Sequence, residues 1–245
     1  MRYGILTDVH SNTEALRATL DVLHRQNVDA IIHMGDVVGY GAEPNACCAL
    51  LRKEAKLSLM GNHDAAVAGL IPLTWFSHYA RTAIEWTLNV IEDSHRDWLA
   101  ASPYTFQDGE YLFSHGSPIS PGDFRYVFSR GEADGILAWM DAMGVRVVFV
   151  GHAHQCLVFG DTGAARTING SDADMLDLGE GRWIVNVGSV GQPRDGDPRA
   201  CCAVVDTDTG RYEVFRCAYN IDTAAAKIYA AGLPDILSDR LAIGR

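Results

Sequence analysis

The 245-residue sequence has no run of lysine or arginine, no C-x-x-C pair, no apolar stretch of membrane-spanning length, and no repeat or low-complexity segment. Each absence removes a class of function. The 20 Lys and Arg residues face 31 Asp and Glu, a net charge of −11. Without a basic cluster to neutralise a phosphate backbone, neither a polymeric nucleic acid nor an acidic membrane surface is an expected partner. The absence of a long apolar run excludes a transmembrane helix. The opening Met1-Arg2-Tyr3-Gly4-Ile5-Leu6-Thr7 turns polar too early for the apolar core of a secretion signal. Six cysteines fall as two adjacent pairs, Cys47-Cys48 and Cys201-Cys202, plus Cys156 and Cys217. Adjacent cysteines inside apolar runs are poor disulfide partners, so they read as buried thiols of a reducing, cytoplasmic compartment. A small phosphorylated substrate stays open despite the acidic balance, because a metal centre reverses the local field.

What is present is ordinary globular material, 48% hydrophobic and 21% charged. A chain of this mass buries roughly 70% of its unfolded surface, enough for a core without staples. No linker is visible, so one domain over residues 1–245 is expected. A strand over residues 2–7, a helix to about residue 26 and a strand over 29–34 make a βαβ unit with parallel strands. Ser11-x-x-Glu14 reads as the capping box that starts this first helix. A helix from about Pro44 to Glu54 and a strand at 57–60 follow. Residues 64–102 carry Trp75, Tyr79, Trp86 and Trp98 without strand alternation, and read as two or more inserted helices. A hairpin over 104–113, turned at Asp108-Gly109, precedes a helix near 131–143 and the buried run Val147-Val148-Phe149-Val150. The remainder is mostly β, with a helix over about 222–231 and a short one after Pro234. The order, α/β and then β-rich, fits an α/β fold of two packed sheets with helices outside.

Six polar clusters stand mostly at predicted strand ends. They are Asp8-x-His10, Gly35-Asp36, Gly61-Asn62-His63-Asp64, His115-Gly116, Gly151-His152-x-His154 and a glycine-rich stretch from Gly188 to Gly196. Singly, each has a plain explanation as a turn, a helix cap or a packed histidine. Jointly they differ, because the C-terminal ends of parallel strands meet at one edge, where ligands bind. His24, His33, His78 and His95 share no such pattern and read as structural. Imidazole, carboxylate and amide oxygen without thiolate suit Mn, Fe, Co, Ni or Zn. Seven candidate ligands, Asp8, His10, Asp36, Asn62, His115, His152 and His154, are too many for one open catalytic ion and fit two ions sharing a carboxylate.

These blocks, in this order, resemble the five motifs of the calcineurin-like metallophosphoesterases. Gly188-Ser189-Val190-Gly191-Gln192-Pro193-Arg194 resembles the bacterial branch described as phosphodiesterase or diadenosine-tetraphosphatase-like. The resemblance implies a four-layer α-β-β-α sandwich of two mixed sheets. It implies one divalent ion on Asp8, His10 and His154, a second on Asn62, His115 and His152, and Asp36 between them. It implies His63 facing the substrate as a proton donor or phosphate stabiliser, with Asp64 holding the His63 ring by a hydrogen bond. The implied reaction is hydrolysis of a small phosphodiester or nucleotide-type ester by a metal-bridging hydroxide.

The sequence departs from the family pattern at Ala153 and Val187, neither a ligand. The stretch Gly35-Asp36-Val37-Val38-Gly39-Tyr40 lacks the arginine that family Ser/Thr phosphatases carry. A phosphoprotein phosphatase is therefore the weaker alternative, and Tyr40, Arg125 and Arg194 are the candidates for gripping phosphate. A non-catalytic scaffold of this fold is the other alternative, disfavoured because all seven ligands and His63 are present. The helices of 64–102 start inside the Asn62-His63-Asp64 block, so Trp75, Phe76 and Tyr79 are candidates for a cap that stacks on a base or aryl group; plain helix packing is the competing reading.

Overall fold

The structure, a computed structural model, describes residues 1–161, 166–168, 170 and 175–245. The chain runs β1 (Arg2–Leu6), α1 (Thr13–Arg25), β2 (Ala30–His33), α2 (Pro44–Glu54) and β3 (Leu57–Ser58). Three helices follow, α3 (Asn62–Val67), α4 (His78–Val90) and α5 (Asp93–Ala100). Then come β4 (Thr105–Asp108), β5 (Tyr111–Ser114), α6 (Arg130–Met143), β6 (Val147–Val150), β7 (Cys156–Gly160), β8 (Arg166–Thr167) and β9 (Met175–Asp177). The last elements are β10 (Trp183–Val187), β11 (Ala200–Asp206), β12 (Arg211–Cys217), α7 (Ile221–Ala230) and α8 (Asp235–Asp239).

Two six-stranded mixed sheets result, in the orders β3-β2-β1-β11-β12-β9 and β4-β5-β6-β10-β7-β8. Alternation along each strand builds the layers. In β1, Tyr3 and Ile5 point into the space between the sheets, whereas Leu6 faces the helices. In β11, Cys201, Ala203 and Val205 point inward, and Cys202 and Val204 meet the side of α1 and α2. In β6, Val147 and Phe149 join the inter-sheet core, and Val148 and Val150 pack on Ile136, Leu137 and Met140 of α6. The product is the expected α-β-β-α sandwich. All six cysteines are buried and unbridged. No helix among the described residues is long and apolar enough to cross a membrane.

Two local expectations are corrected. The first helix is not capped by a Ser11–Glu14 box. Asn12 is the N-cap, its side chain accepting the Ala15 N–H at 3.1 Å, while Ser11 is left-handed (φ 56°) and its hydroxyl has no partner. Glu14 instead pairs with Lys227. The β4–β5 hairpin pairs Asp108 with Tyr111, so its two-residue loop is Gly109-Glu110, with Gly109 supplying the positive φ of 57°. The helices after α2 are mostly an outer layer. Ile84 of α4 and Leu99 of α5 are buried in the core beneath α1 and α2, while the start of α3, Ile71, the stretch Trp75 to Ser77 and Ala80 reach the site.

Candidate metal centre

The parallel strands β1, β2, β3, β5, β6 and β10 bring their following loops together. The loops are stitched by main-chain bonds. Asp8 N–H donates to Gly35 O and His10 N–H to Asp36 O, each at 3.0 Å, and Ser11 N–H donates to Val37 O at 2.9 Å. Such close stitching bends the chain sharply. Asp8 (φ 54°), His10 (48°), Asp36 (59°), His152 (65°) and His154 (57°) all sit in the left-handed region. For non-glycine residues that conformation costs on the order of 1–3 kcal/mol each, and it collects where surrounding structure enforces a functional geometry. Five of the ten such residues among those described are predicted ligands. Gly61 shows the tightness: a Cβ there would lie 2.1 Å from both the backbone N and Oδ1 of Asp36.

Side chains aim their acceptors at one another. Three imidazoles donate from Nδ1 to main-chain carbonyls: His10 to Val38 at 3.0 Å, His115 to Met34 at 2.8 Å and His154 to Gln192 at 2.6 Å. A carbonyl only accepts, so Nδ1 carries a proton in each ring and Nε2 is the atom that points into the centre. His10 Nε2 lies 3.1 Å from His154 Nε2, and His154 Nε2 lies 3.2 Å from Asp8 Oδ1. Asp8 Oδ2 accepts from Thr7 Oγ1 at 2.8 Å and from His152 N–H at 3.0 Å, but Asp8 Oδ1 is buried without a partner. Asp36 Oδ1 accepts the His63 N–H at 2.8 Å, leaving Oδ2 between His115 Nε2 at 3.3 Å and His10 Nε2 at 3.6 Å. Asn62 Oδ1 is 3.2 Å from His115 Nε2. Asp8, His10 and His154 could hold an ion; so could Asp36, His115 and His152. His10, Asp36 and His63 also lie within ligand range of one another.

The charges show the same need. Burial pushes the Asp8 and Asp36 carboxyls up, yet the facing histidines hold both well below the carboxylate range, His154 foremost for Asp8 and His115 for Asp36. Burial drives His10 and His152 well below the ordinary imidazole value, lowers His154 and brings His63 down to about 4. His115 behaves oppositely. Burial lowers it, but Asp36 and then Asp8 raise it to about 9, so without an ion its Nε2 also carries a proton, which a bound cation would displace. An unpartnered oxygen, converging lone pairs and hard-to-borderline donors fit divalent cations.

Residues 1–210 match the calcineurin-like phosphoesterase superfamily domain. The chain belongs to that family. It is 35% identical to an uncharacterized protein of Methanocaldococcus jannaschii, across 99% of this chain and 98% of that one. A crystal structure of a metallophosphoesterase from Sphaerobacter thermophilus superimposes with a TM-score of 0.87 at 38% identity, covering 100% and 99% of the two chains. A hypothetical protein of Pyrococcus horikoshii shares the fold at 17% identity, with a TM-score of 0.79 and coverage of 100% and 98%.

Above the centre of this calcineurin-like phosphoesterase opens a cavity of about 350 Å³. Asp36, Asn62, His63, His152 and His154 reach it from the centre, and Trp75, Phe76, Phe124 and Tyr126 supply aromatic surface. Tyr126 stacks on the His152 ring at 3.8 Å between centroids. Tyr40 and Arg194 line the cavity, the guanidinium 5.5 Å over the Tyr40 ring. Tyr79 is exposed and does not line it.

Two predicted roles are corrected. Arg125 points away: it is exposed, pairs with Asp123 at 3.0 Å and lines a neighbouring groove. Asp64 does not hold the His63 ring. Its carboxylate accepts the N–H groups of Val37, Val38 and Gly61, each at 3.2 Å, bracing the loop that carries Asp36. Consecutive helical residues point to different faces, so neighbours in sequence do not face each other. His63 Nδ1 is buried without a partner against Gly39, where a Cβ would come within 2.2 Å; the glycine (φ 89°) makes room for the ring. Sequence reading missed Tyr126 and Arg240, both in the cavity wall, because neither sits in a motif.

Proposed function

We propose that the chain is a dinuclear metal-dependent phosphoesterase acting on small phosphorylated molecules. The observation that carries this reading is the buried Asp8 Oδ1, which has no hydrogen-bond donor and faces the Nε2 edges of His154 and His10. Asp8, His10 and His154 would hold one divalent ion, Asn62, His115 and His152 a second, with Asp36 touching both. Bound there, such ions lower the pKa of water toward neutrality and offset charge on phosphoryl oxygens.

The protein's own groups do the rest. The main-chain carbonyls of Val38, Met34 and Gln192 fix three rings in one tautomer, so ligand atoms are oriented before an ion arrives. Asp64 holds the Asp36 loop through three main-chain bonds. His63 lines the cavity with Nδ1 turned to Gly39, so Nε2, on the opposite edge of the ring, is the atom that donates to a phosphoryl or departing oxygen. Its lowered pKa keeps the ring neutral near pH 7 until an anion approaches. Trp75 and Phe76, from the segment overhanging the centre, would cover the organic part of the substrate.

The test compares hydrolysis of an aryl phosphate monoester, an aryl phosphodiester and a dinucleoside polyphosphate with each divalent ion. His63→Asn should retain bound metal and lose 10²–10⁴-fold in turnover, as loss of a positioned proton donor does. Wild-type turnover by that variant would remove His63 from the reaction. Absence of ion-dependent hydrolysis of all three esters would overturn the assignment.

A further inference from the structure

Two guanidinium groups enter the cavity from parts of the chain that meet only in the fold. Arg194 lies on the loop after β10, and Arg240 on the turn after α8. The turn is fastened to that loop: Gly196 N–H donates to Gly244 O at 3.0 Å, and Leu241 is buried in a cluster with Ile228, Leu233 and Leu237. The loop is itself anchored by a buried ion pair between Asp195 and Arg216. Arg194 Nη2 donates to the Gln192 side-chain oxygen at 2.7 Å, and Arg240 Nε donates to the main-chain oxygen of Arg245. No Asp or Glu side chain pairs with either guanidinium among the described residues. Burial and then the Arg194 charge both act against the protonated form of Arg240. Of the acids lining the cavity, Asp36 belongs to the centre and Asp123 is tied to Arg125. One edge of each guanidinium is taken, Arg194 by Gln192 and Arg240 by the oxygen of Arg245, the last residue of the sequence; their remaining N–H groups, in a cavity that also reaches the centre, make a seat for an anion.

We propose that Arg194 and Arg240 form a second anion seat beside the metal centre, so that the substrate carries a further phosphoryl group besides the ester that is cleaved. This deepens, and rests on, the phosphoesterase reading above. The aromatic surface of Trp75, Phe76 and Tyr126 suits a nucleotide base on the same molecule.

Two arms test the proposal. In the first, metal-free protein is titrated calorimetrically with inorganic pyrophosphate, so that binding is read without turnover. Arg240→Gln and Arg194→Gln should each weaken binding about tenfold or more, the scale of a charged hydrogen bond, and Arg240→Lys should recover part of it. Equal binding by wild type and both Gln variants overturns the seat. In the second arm, the ratio of kcat/KM for ADP to that for AMP is measured with the metal-loaded protein. The ratio should fall at least tenfold in Arg240→Gln; an unchanged ratio contradicts the proposal. Pyrophosphate binding that depends on both arginines, with no hydrolysis of any ester, would keep the seat and discard the phosphoesterase reading.

Discussion

Replacing Asp36 by Asn tests the centre most informatively, because its carboxylate lies against both halves. Asp36 Oδ2 is 3.3 Å from His115 Nε2 and 3.6 Å from His10 Nε2. An ion at 100 times its Kd stabilises the folded chain by about 2.7 kcal/mol. Two such sites give about 5 kcal/mol, or roughly 10–20 °C in Tm for a chain of this size. Asp36→Asn should abolish that shift, whereas Asn62→Ala, which touches one half, should remove about half of it. The metal-free protein gives an independent signal. His115 is raised from 6.5 to about 9, so its contribution is fully present below pH 6.5 and is lost as pH rises through 9. Between pH 7 and 9 that loss is about 2 kcal/mol, or roughly 4–8 °C. Asp36→Asn removes the main cause of the raised value, so its Tm should be nearly flat over that interval. The assay is a thermal melt with and without Mn²⁺ at pH 7 and 9, with metal content per chain measured alongside. Two ions per chain in Asp36→Asn, or an unaltered pH slope, would refute the reasoning.

Further expectations concern the wall and the first helix. Trp75 is 59% exposed, so Trp75→Ala should leave stability within about 0.5 kcal/mol while altering the ratio of nucleotide to aryl phosphate hydrolysis. An unchanged ratio would take Trp75 out of substrate contact. Asn12→Ala should cost about 1–2 kcal/mol in urea unfolding, because Asn12 caps α1 and also donates to Gly191 O at 3.0 Å. Ser11→Ala should be nearly neutral, since its hydroxyl has no partner; the reverse order would restore the Ser11 cap.

The layers and the convergence of the candidate ligands were legible because both follow local rules. Strand alternation shows in Tyr3 and Ile5 against Leu6, and the polar clusters stand immediately after parallel strands. What was not legible depends on backbone angles or long-range docking. Whether Ser11 or Asn12 caps α1 turns on the left-handed bend at Ser11, imposed by its bond to Val37 rather than by the helix sequence. Asp64 is adjacent to His63 in sequence but is directed to the N–H groups of the neighbouring loop. Arg125 lies near the site in sequence, yet it follows Phe124, at φ 49°, and pairs with Asp123. Arg240 reaches the cavity only because the turn after α8 docks on the loop carrying Arg194, a tertiary contact between glycines that no motif encodes.

The most direct measurement is anomalous diffraction from a crystal of the Mn²⁺-loaded protein. Two peaks should flank the Asp36 carboxylate, one against Asp8, His10 and His154 and the other against Asn62, His115 and His152. A single peak, or density away from these residues, would contradict a shared two-ion centre.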